Sequence, residues 1–228
     1  MKIKPIASGS KGNAHIISDG ETTLLLDAGV AFREIQAACG YETSKIAACL
    51  VTHRHGDHSR AIPQLIKRGI KVYAPQDVAD KFPQVCVISG KSGVRIGTIM
   101  AMPFGVPHDV PCFGWLADST VTHERLVYIV DAEYVKYRFR GMTHLMIEAN
   151  HSRERIMDRA KEGKLPLKLA ERIIKNHMSI DTALGFIRAN DMDKMKQIYL
   201  LHLSDDNSNA EDFKRQVQEE TGAEVYTA

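Results

Sequence analysis

The chain has 228 residues, 44% of them hydrophobic and 25% charged, with a formal net charge of +2. That is enough for one large domain with a substantial core, and a single domain over residues 1–228 is expected. The composition excludes a disordered chain, and so small a net charge does not by itself call for a nucleic-acid partner.

The charge is uneven, however. Residues 133–175 hold eleven Lys/Arg against six Asp/Glu, and residues 176–228 hold five against ten. Two amphipathic helical regions that pair their solvent faces would explain this; a basic rim beside a site for an anionic substrate is the sharper alternative. The four cysteines, Cys39, Cys49, Cys86 and Cys112, show no C-x-x-C spacing, as expected of buried thiols in a reduced, cytoplasmic protein. The opening MKIKPIASGS lacks an apolar signal region. No run reaches the ~18 apolar residues of a spanning helix, so no membrane partner is expected, and an exported antibiotic-degrading role is disfavoured.

In chain order, residues 2–7, 14–18 and 23–27 read as strands separated by the turn signals SGSKGN and DGE. Residues 30–39 read as a helix that Gly40 stops. Residues 49–52 form a buried strand that runs into a histidine cluster, and a turn at Gly56 leads to a helix over 59–68, closed by Gly69. Residues 70–73, 85–88, 94–103 and 112–117 read as further strands. An apolar run over 126–130 ends at Asp131, residues 133–139 look helical, and 145–148 is another strand. Two or three helices follow between 152 and 190, then a strong strand over 198–203 and a closing helix over 209–221. Early, mixed strands with helices between and after them predict an α/β fold with a two-sheet core and helices outside.

The chemistry lies in Leu50-Val51-Thr52-His53-Arg54-His55-Gly56-Asp57-His58. An apolar strand delivers three imidazoles and a carboxylate within six residues, ligands that suit Zn²⁺, Mn²⁺ or Fe. In extended chain, residues two apart point the same way, so His53 and His55 can grip one ion while Asp57 and His58 face a second. Two ions ~3.5–4 Å apart can clamp an in-line displacement. One such histidine would be an ordinary surface or capping residue. The full cluster gains nothing obvious for folding without a metal.

This H-x-H-x-D-H pattern resembles the hallmark of the metallo-β-lactamase superfamily. The resemblance implies a four-layer αββα sandwich and three further ligands, for which His108 in PHDVP, Asp131 after LVYIV and His202 after IYLL match in order and position. It implies that His53, His55 and His108 bind one metal, that Asp57, His58 and His202 bind the other, and that Asp131 bridges. The cofactors would be two divalent ions, Zn²⁺ first and Mn²⁺ as the alternative. Taken singly, His108 could be a loop residue, Asp131 a helix cap and His202 a strand-end residue.

The YycJ-type branch is similar over nearly the whole chain. Its motifs are matched by Ser8-Gly9-Ser10-Lys11-Gly12-Asn13-Ala14, Glu148-Ala149-Asn150-His151, Asn176-His177-Met178-Ser179 and His202-Leu203-Ser204-Asp205-Asp206-Asn207. Asn176 and Met178 depart from the branch's Gly and Leu. Bacterial DNA exonucleases and phage anti-Pycsar phosphodiesterases that destroy cyclic pyrimidine nucleotides share the pattern.

The resemblance implies roles for other residues. His177, and after it His151, would protonate the leaving oxygen, with a capping or packing role as the alternative for each, and Asp57 would orient the nucleophile as well as ligate. The SGSKGN loop, with Ser8 and Asn13, would support the metal loop or offer donors to substrate phosphate, or be no more than a tight Gly turn between strands. Ser204, Asp205 and Asn207 would orient His202, contact substrate or cap the last helix. His15, His123 and His144 carry no motif and read as packing or surface residues, and Trp115, Phe104 and Phe113 as core or a base-stacking pocket. The expected activity is hydrolysis of 3′,5′-cyclic nucleotides such as cCMP and cUMP, because a small substrate needs no broad basic surface. A 5′→3′ DNA exonuclease is the alternative, and a thiolester hydrolase or a non-catalytic metal-binding protein stands further off. Relatives that cover each other's clefts imply a homodimer.

Overall fold

Alternating burial sets the first hairpin. In the computed structural model, which describes residues 1–90 and 92–228, β1 (Lys2–Ala7) and β2 (Ala14–Ser18) pair antiparallel from Lys2↔Ser18, with a register shift between Pro5 and Ala7. Pro5 cannot donate to a ladder and is tolerated because β1 is an edge strand. The chain divides into two compact units, residues 1–105 with 110–125, and residues 106–109 with 126–228.

The first unit continues with β3 (Thr23–Leu26), α1 (Phe32–Ala38), β4 (Ile46–Leu50), α2 (Gly56–Ser59), α3 (Ile62–Lys67), β5 (Lys71–Ala74), α4 (Gln76–Lys81) and β6 (Cys86–Val87). The six strands form one sheet in the order β1-β2-β3-β4-β5-β6, and β3 to β6 run parallel. Leu25, Cys49 and Val72 from the strands pack with Ile35, Ile62 and Leu65 from the helices. Gly40 and Gly69 close their helices in the left-handed region, at φ of 61° and 73°, where a Cβ would be strained. The helix expected over 59–68 is instead two short ones, the first opening at Gly56.

The strand expected over 94–103 is likewise two. β7 (Val94–Ile96) and β8 (Ile99–Val106) fold back antiparallel about Gly97, whose φ is 55°. β9 (Cys112–Ser119) pairs beside β8. Trp115 on β9 is fully buried and belongs to the core, with the half-buried Phe113 edge-on to it at 6.2 Å.

The second unit holds β10 (Arg125–Ile129), β11 (His144–Glu148), α5 (Arg153–Lys161), α6 (Leu167–Asn176), α7 (Ile180–Arg188), β12 (Gln197–Leu201), α8 (Ala210–Thr221) and β13 (Glu224–Thr227). The four strands are parallel in the order β13-β12-β11-β10. All five residues of β11 are buried, as expected of a parallel strand covered on both faces. Parallel neighbours need crossovers: α5–α7 supply the one from β11 to β12 and α8 the one from β12 to β13, while β10 reaches β11 through a helix-free connection. Ser152, Ser179 and Asn209 cap α5, α7 and α8 through their side chains.

Residues 133–139 form no helix. Their aromatic and β-branched residues are weak helix formers, and the segment is tied instead by Glu133 N–H to the Pro107 carbonyl (3.1 Å) and Phe139 N–H to Asn190 Oδ1 (2.6 Å). α4 and β13 were not legible in the sequence; each is short, and β13 buries only Val225. No helix among the described residues is long and apolar enough to cross a membrane.

Asp19, nearly buried in the β2–β3 turn, knots the first unit together. Its Oδ1 accepts from Thr22 N–H (2.8 Å), and its Oδ2 from the Thr98 (2.6 Å) and Ser119 (2.8 Å) hydroxyls. Burial opposes ionisation, but these donors outweigh it and hold the carboxyl down at about 2. A depressed carboxyl stabilises the fold above its unfolded value and loses that contribution as pH falls through the folded one. Asp19→Ala should therefore cost about 1.5–3 kcal/mol at neutral pH. In denaturant titrations the gap from wild type should shrink as pH falls from about 4 towards 2.

Candidate metal centre

The histidine cluster begins where β4 stops. His53 is fully buried and His55 half-buried, with their rings 4.6 Å apart and nearly perpendicular, as residues two apart in extended chain should converge. Asp57 lies in the first turn of α2, and its Oδ2 is 3.7 Å from Nε2 of the fully buried His58.

Tautomers here follow from the partners. Asp27, fully buried just after β3, can only accept, so His58 Nδ1–H donates to its Oδ2 at 2.9 Å. Asn13 Nδ2–H donates to His58 Nε2 at 3.0 Å, so the ring lone pair lies on Nε2 and is engaged by the Asn13 amide in this structure. The Thr52 hydroxyl donates to Asp27 Oδ1 at 3.0 Å and accepts from His53 Nδ1–H at the same distance. The Cys112 thiol lies 3.7 Å from the same His53 nitrogen. His53 is thereby left with its lone pair on Nε2.

The bed of this loop is backbone. Asn13 N–H donates to the Asp57 carbonyl (2.7 Å), Ala28 N–H to the His58 carbonyl (2.9 Å) and Gly29 N–H to the Asn13 carbonyl (2.9 Å). A Cβ on Gly29 would collide with the backbone of Asp57 and His58, so only glycine allows this approach. Asn13 is fully buried and its amide also spans Gly9, accepting from N–H and donating to the carbonyl. The SGSKGN segment thus underpins the histidine loop, and Asn13 is turned inward. Ser8 is half-buried.

In the second unit, functional side chains gather at the carboxyl ends of the parallel strands, where α/β sheets present their ligand sites. Asp131 stands two residues past β10, Glu148 is the last residue of β11, and His202 follows β12 directly. Asp131 and His202 adopt left-handed backbone at φ of 50° and 54°, which is costly for histidine and characteristic of functional turns. Asp131, Glu148, His177 and His202 each offer a donor atom within 4.8 Å of the others.

Glu148 is the hub. Its Oε1 accepts from Nδ1–H of His177 (2.8 Å) and of His202 (2.9 Å), and its Oε2 from the backbone N–H of Ala132 (3.0 Å) and Met178 (3.1 Å). His202 Nδ1 is also 2.8 Å from Asp131 Oδ1. Burial would raise the Glu148 carboxyl, but the two imidazoles outweigh it and hold the carboxyl low. Burial lowers His177 and His202, but Glu148 and Asp131 outweigh it and raise both well above the usual imidazole range. With Nδ1 committed to carboxylates, Nε2 of each ring is the nitrogen left for a metal or a substrate.

The surrounding turns are sewn together. Asn150 donates through its amide to the His202 carbonyl (2.8 Å), and Ser204 N–H donates to the Asn150 carbonyl (3.0 Å). The Ser204 hydroxyl accepts from the Asn207 backbone (3.3 Å) and amide (3.1 Å), and Asn207 is 5% exposed, so this pair shapes the turn after His202. Asp205 is exposed. His108 lies with its ring centroid 6.5 Å from that of His177. His151 is fully buried, and burial lowers its imidazole to about 4. His15 is also fully buried, close enough to Asp27 and His58 to feel both charges.

Sequence reasoning missed Asp27, Thr52 and the role of Glu148. The signal for Asp27 was weak: an acid directly after the apolar TLLL strand and before Ala28-Gly29.

The family description Beta-lactamase superfamily domain matches residues 22–202, and the chain belongs to that family. It is a hydrolase of the metallo-β-lactamase superfamily with the α/β sandwich expected from the sequence. Exodeoxyribonuclease YycJ of Bacillus anthracis is 29% identical, over 98% of this chain and 91% of the relative. The metallo-β-lactamase fold protein YhfI of Bacillus subtilis superposes with a TM-score of 0.74 at 16% identity, over 99% of this chain and 95% of that one. The short form of human tRNase Z superposes with a TM-score of 0.66 at 16% identity, over 100% and 96%. The fold and the His/Asp clusters both fit divalent metal ions.

Asp27→Asn should leave the far-ultraviolet circular dichroism in place but weaken retained metal about 10–100-fold, since it unseats the ring of His58. Chelator competition monitored by elemental analysis measures this.

Proposed function

We propose that this chain is a dinuclear-metal phosphodiesterase acting on nucleotide phosphodiesters. In this reading His53, His55 and His108 hold one divalent ion, Asp57, His58 and His202 hold a second, and Asp131 serves both; Zn²⁺ is the first candidate and Mn²⁺ the second. The observation that carries the metal assignment is the pair of imidazoles anchored through Nδ1 on buried carboxylates, His58 on Asp27 and His202 on Glu148, which keeps the lone pair of each ring on Nε2; at His58 a metal would displace the Asn13 amide from that nitrogen. Bound divalent ions would lower the pKa of water and neutralise charge on the phosphate oxygens.

The chain's own groups do the rest. Asp57 orients the attacking water. His177, half-buried and held at Nδ1 by Glu148, hands a proton from Nε2 to the departing oxygen. His151 was the second candidate for that role. Full burial of its ring withholds it from substrate, so the assignment rests on His177.

Among phosphodiesters, DNA is placed first, because a relative named exodeoxyribonuclease aligns over nearly the whole length of both chains. The cyclic-nucleotide reading stands second and draws on the net charge of only +2. A cytoplasmic homodimer belongs to the same reading; none of the four cysteines is in a disulfide, and light scattering would give the mass.

The test is a panel with Zn²⁺ or Mn²⁺ supplied, of 5′-phosphorylated linear DNA beside 3′,5′-cyclic CMP, UMP, AMP and GMP. Shortening of DNA with the cyclic nucleotides intact supports the first reading, and the reverse supports the second. Hydrolysis of neither would overturn the phosphodiesterase assignment. Asp131→Asn and His58→Ala should each lower kcat on the active substrate on the order of a thousandfold, equivalent to about 4 kcal/mol of lost transition-state stabilisation.

A further inference from the structure

Beside His108 and Asn176 lies a cleft of about 650 Å³, and one wall of it is the exposed face of α6. Lys168, Arg172 and Lys175 line that wall. Their spacing of four and then three residues places them on one helical face. The opposite face, with Ala170, Ile173 and Ile174, packs against Ile156 and Leu165, which fixes the direction in which the cations project. None of the three makes an ion pair or hydrogen bond among the described residues.

α6 ends at Asn176, and the next residue is His177. The cation row therefore leads away from the group assigned to protonate the leaving oxygen. At 1.5 Å per residue, Lys175 stands about 3 Å along the axis from His177, Arg172 about 7–8 Å and Lys168 about 13–14 Å. The three charges stand about 4.5 and 6 Å apart along the axis, and together span about three of the 3.4 Å phosphate steps of one strand of a duplex. A mononucleotide bound near His177 would leave Lys168 without a use.

We infer that the α6 face is a DNA track on which Lys168, Arg172 and Lys175 hold the phosphates of the strand being fed to the reacting centre. This deepens the phosphodiesterase reading and rests on it: it makes α6 the feature that separates a polynucleotide substrate from a cyclic mononucleotide. Glu171 and Glu133 line the same cleft and oppose a phosphate there. Asp109, a third acid, faces His108 at 3.1 Å. The row itself, and not the summed charge of the cleft, carries the binding. Glu171 sits three residues from Lys168 and four from Lys175, so it weakens the track.

The experiment uses the metal-loaded protein and a phosphorothioate oligonucleotide, read by fluorescence anisotropy across a salt series. Lys168→Ala combined with Arg172→Ala should weaken binding about tenfold and lower the salt slope of log K by about 1.4–1.8, the contribution of two lost phosphate contacts. Glu171→Gln should tighten binding several-fold, an effect that general damage to the helix would not produce. In turnover, the kcat/KM for a 5′-phosphorylated oligonucleotide relative to that for bis(p-nitrophenyl) phosphate should fall about tenfold in the double variant. Unchanged affinity, slope and ratio would overturn the track even if the phosphodiesterase works. If wild type hydrolyses neither substrate, the reading of the centre fails instead, and the anisotropy series still decides whether α6 binds DNA.

Discussion

Much of this protein depends on buried carboxylates that grip imidazoles. Asp27 and Glu148 are both fully enclosed, and each would be an expensive isolated charge. Each is compensated by imidazole N–H groups and by backbone N–H: Thr52 for Asp27, and Ala132 and Met178 for Glu148. Removing one member of such a set leaves a buried group unpaired, typically at a cost of about 3–5 kcal/mol. The same contacts set ring orientation and tautomer, so stability and chemistry are served by one network.

These networks dictate the backbone around them. Asp27, Asp131 and His202 all stand just past strand ends in left-handed conformation. The turn redirects the chain so that the side chain faces across the strand ends, where sheet hydrogen bonding has stopped. The strain is tolerated because rigid parallel strands precede each turn and neighbouring turns lock it, as Asn150 does at the His202 carbonyl. Gly29 has a related part in the first unit, where its missing side chain lets two loops touch backbone to backbone.

The sequence and structure part company where local signals are weak or shared. Strands over 2–7, 14–18 and 112–117 and the helix over 209–221 were legible because burial period, turn residues and caps agree. Residues 94–103 looked like one strand because the turn at Gly97 interrupts an apolar run without a Pro or Asn. Residues 133–139 read as a helix, but their aromatic and β-branched residues favour the extended path that Pro107 and Asn190 hold.

What the sequence determined by itself was the chemistry on offer: H-x-H-x-D-H after an apolar strand, with Asp131 and His202 at later strand ends. These are local facts, because a ligand motif and the strand that delivers it are contiguous in the chain. Only the tertiary structure decided which groups orient those residues. Asp27 reaches His58 across 31 positions and Glu148 reaches His202 across 54, pairings that no local pattern encodes. It also decided that Asn13 faces inward and that His151 is enclosed, since burial depends on which segments the parallel strands and crossovers bring together.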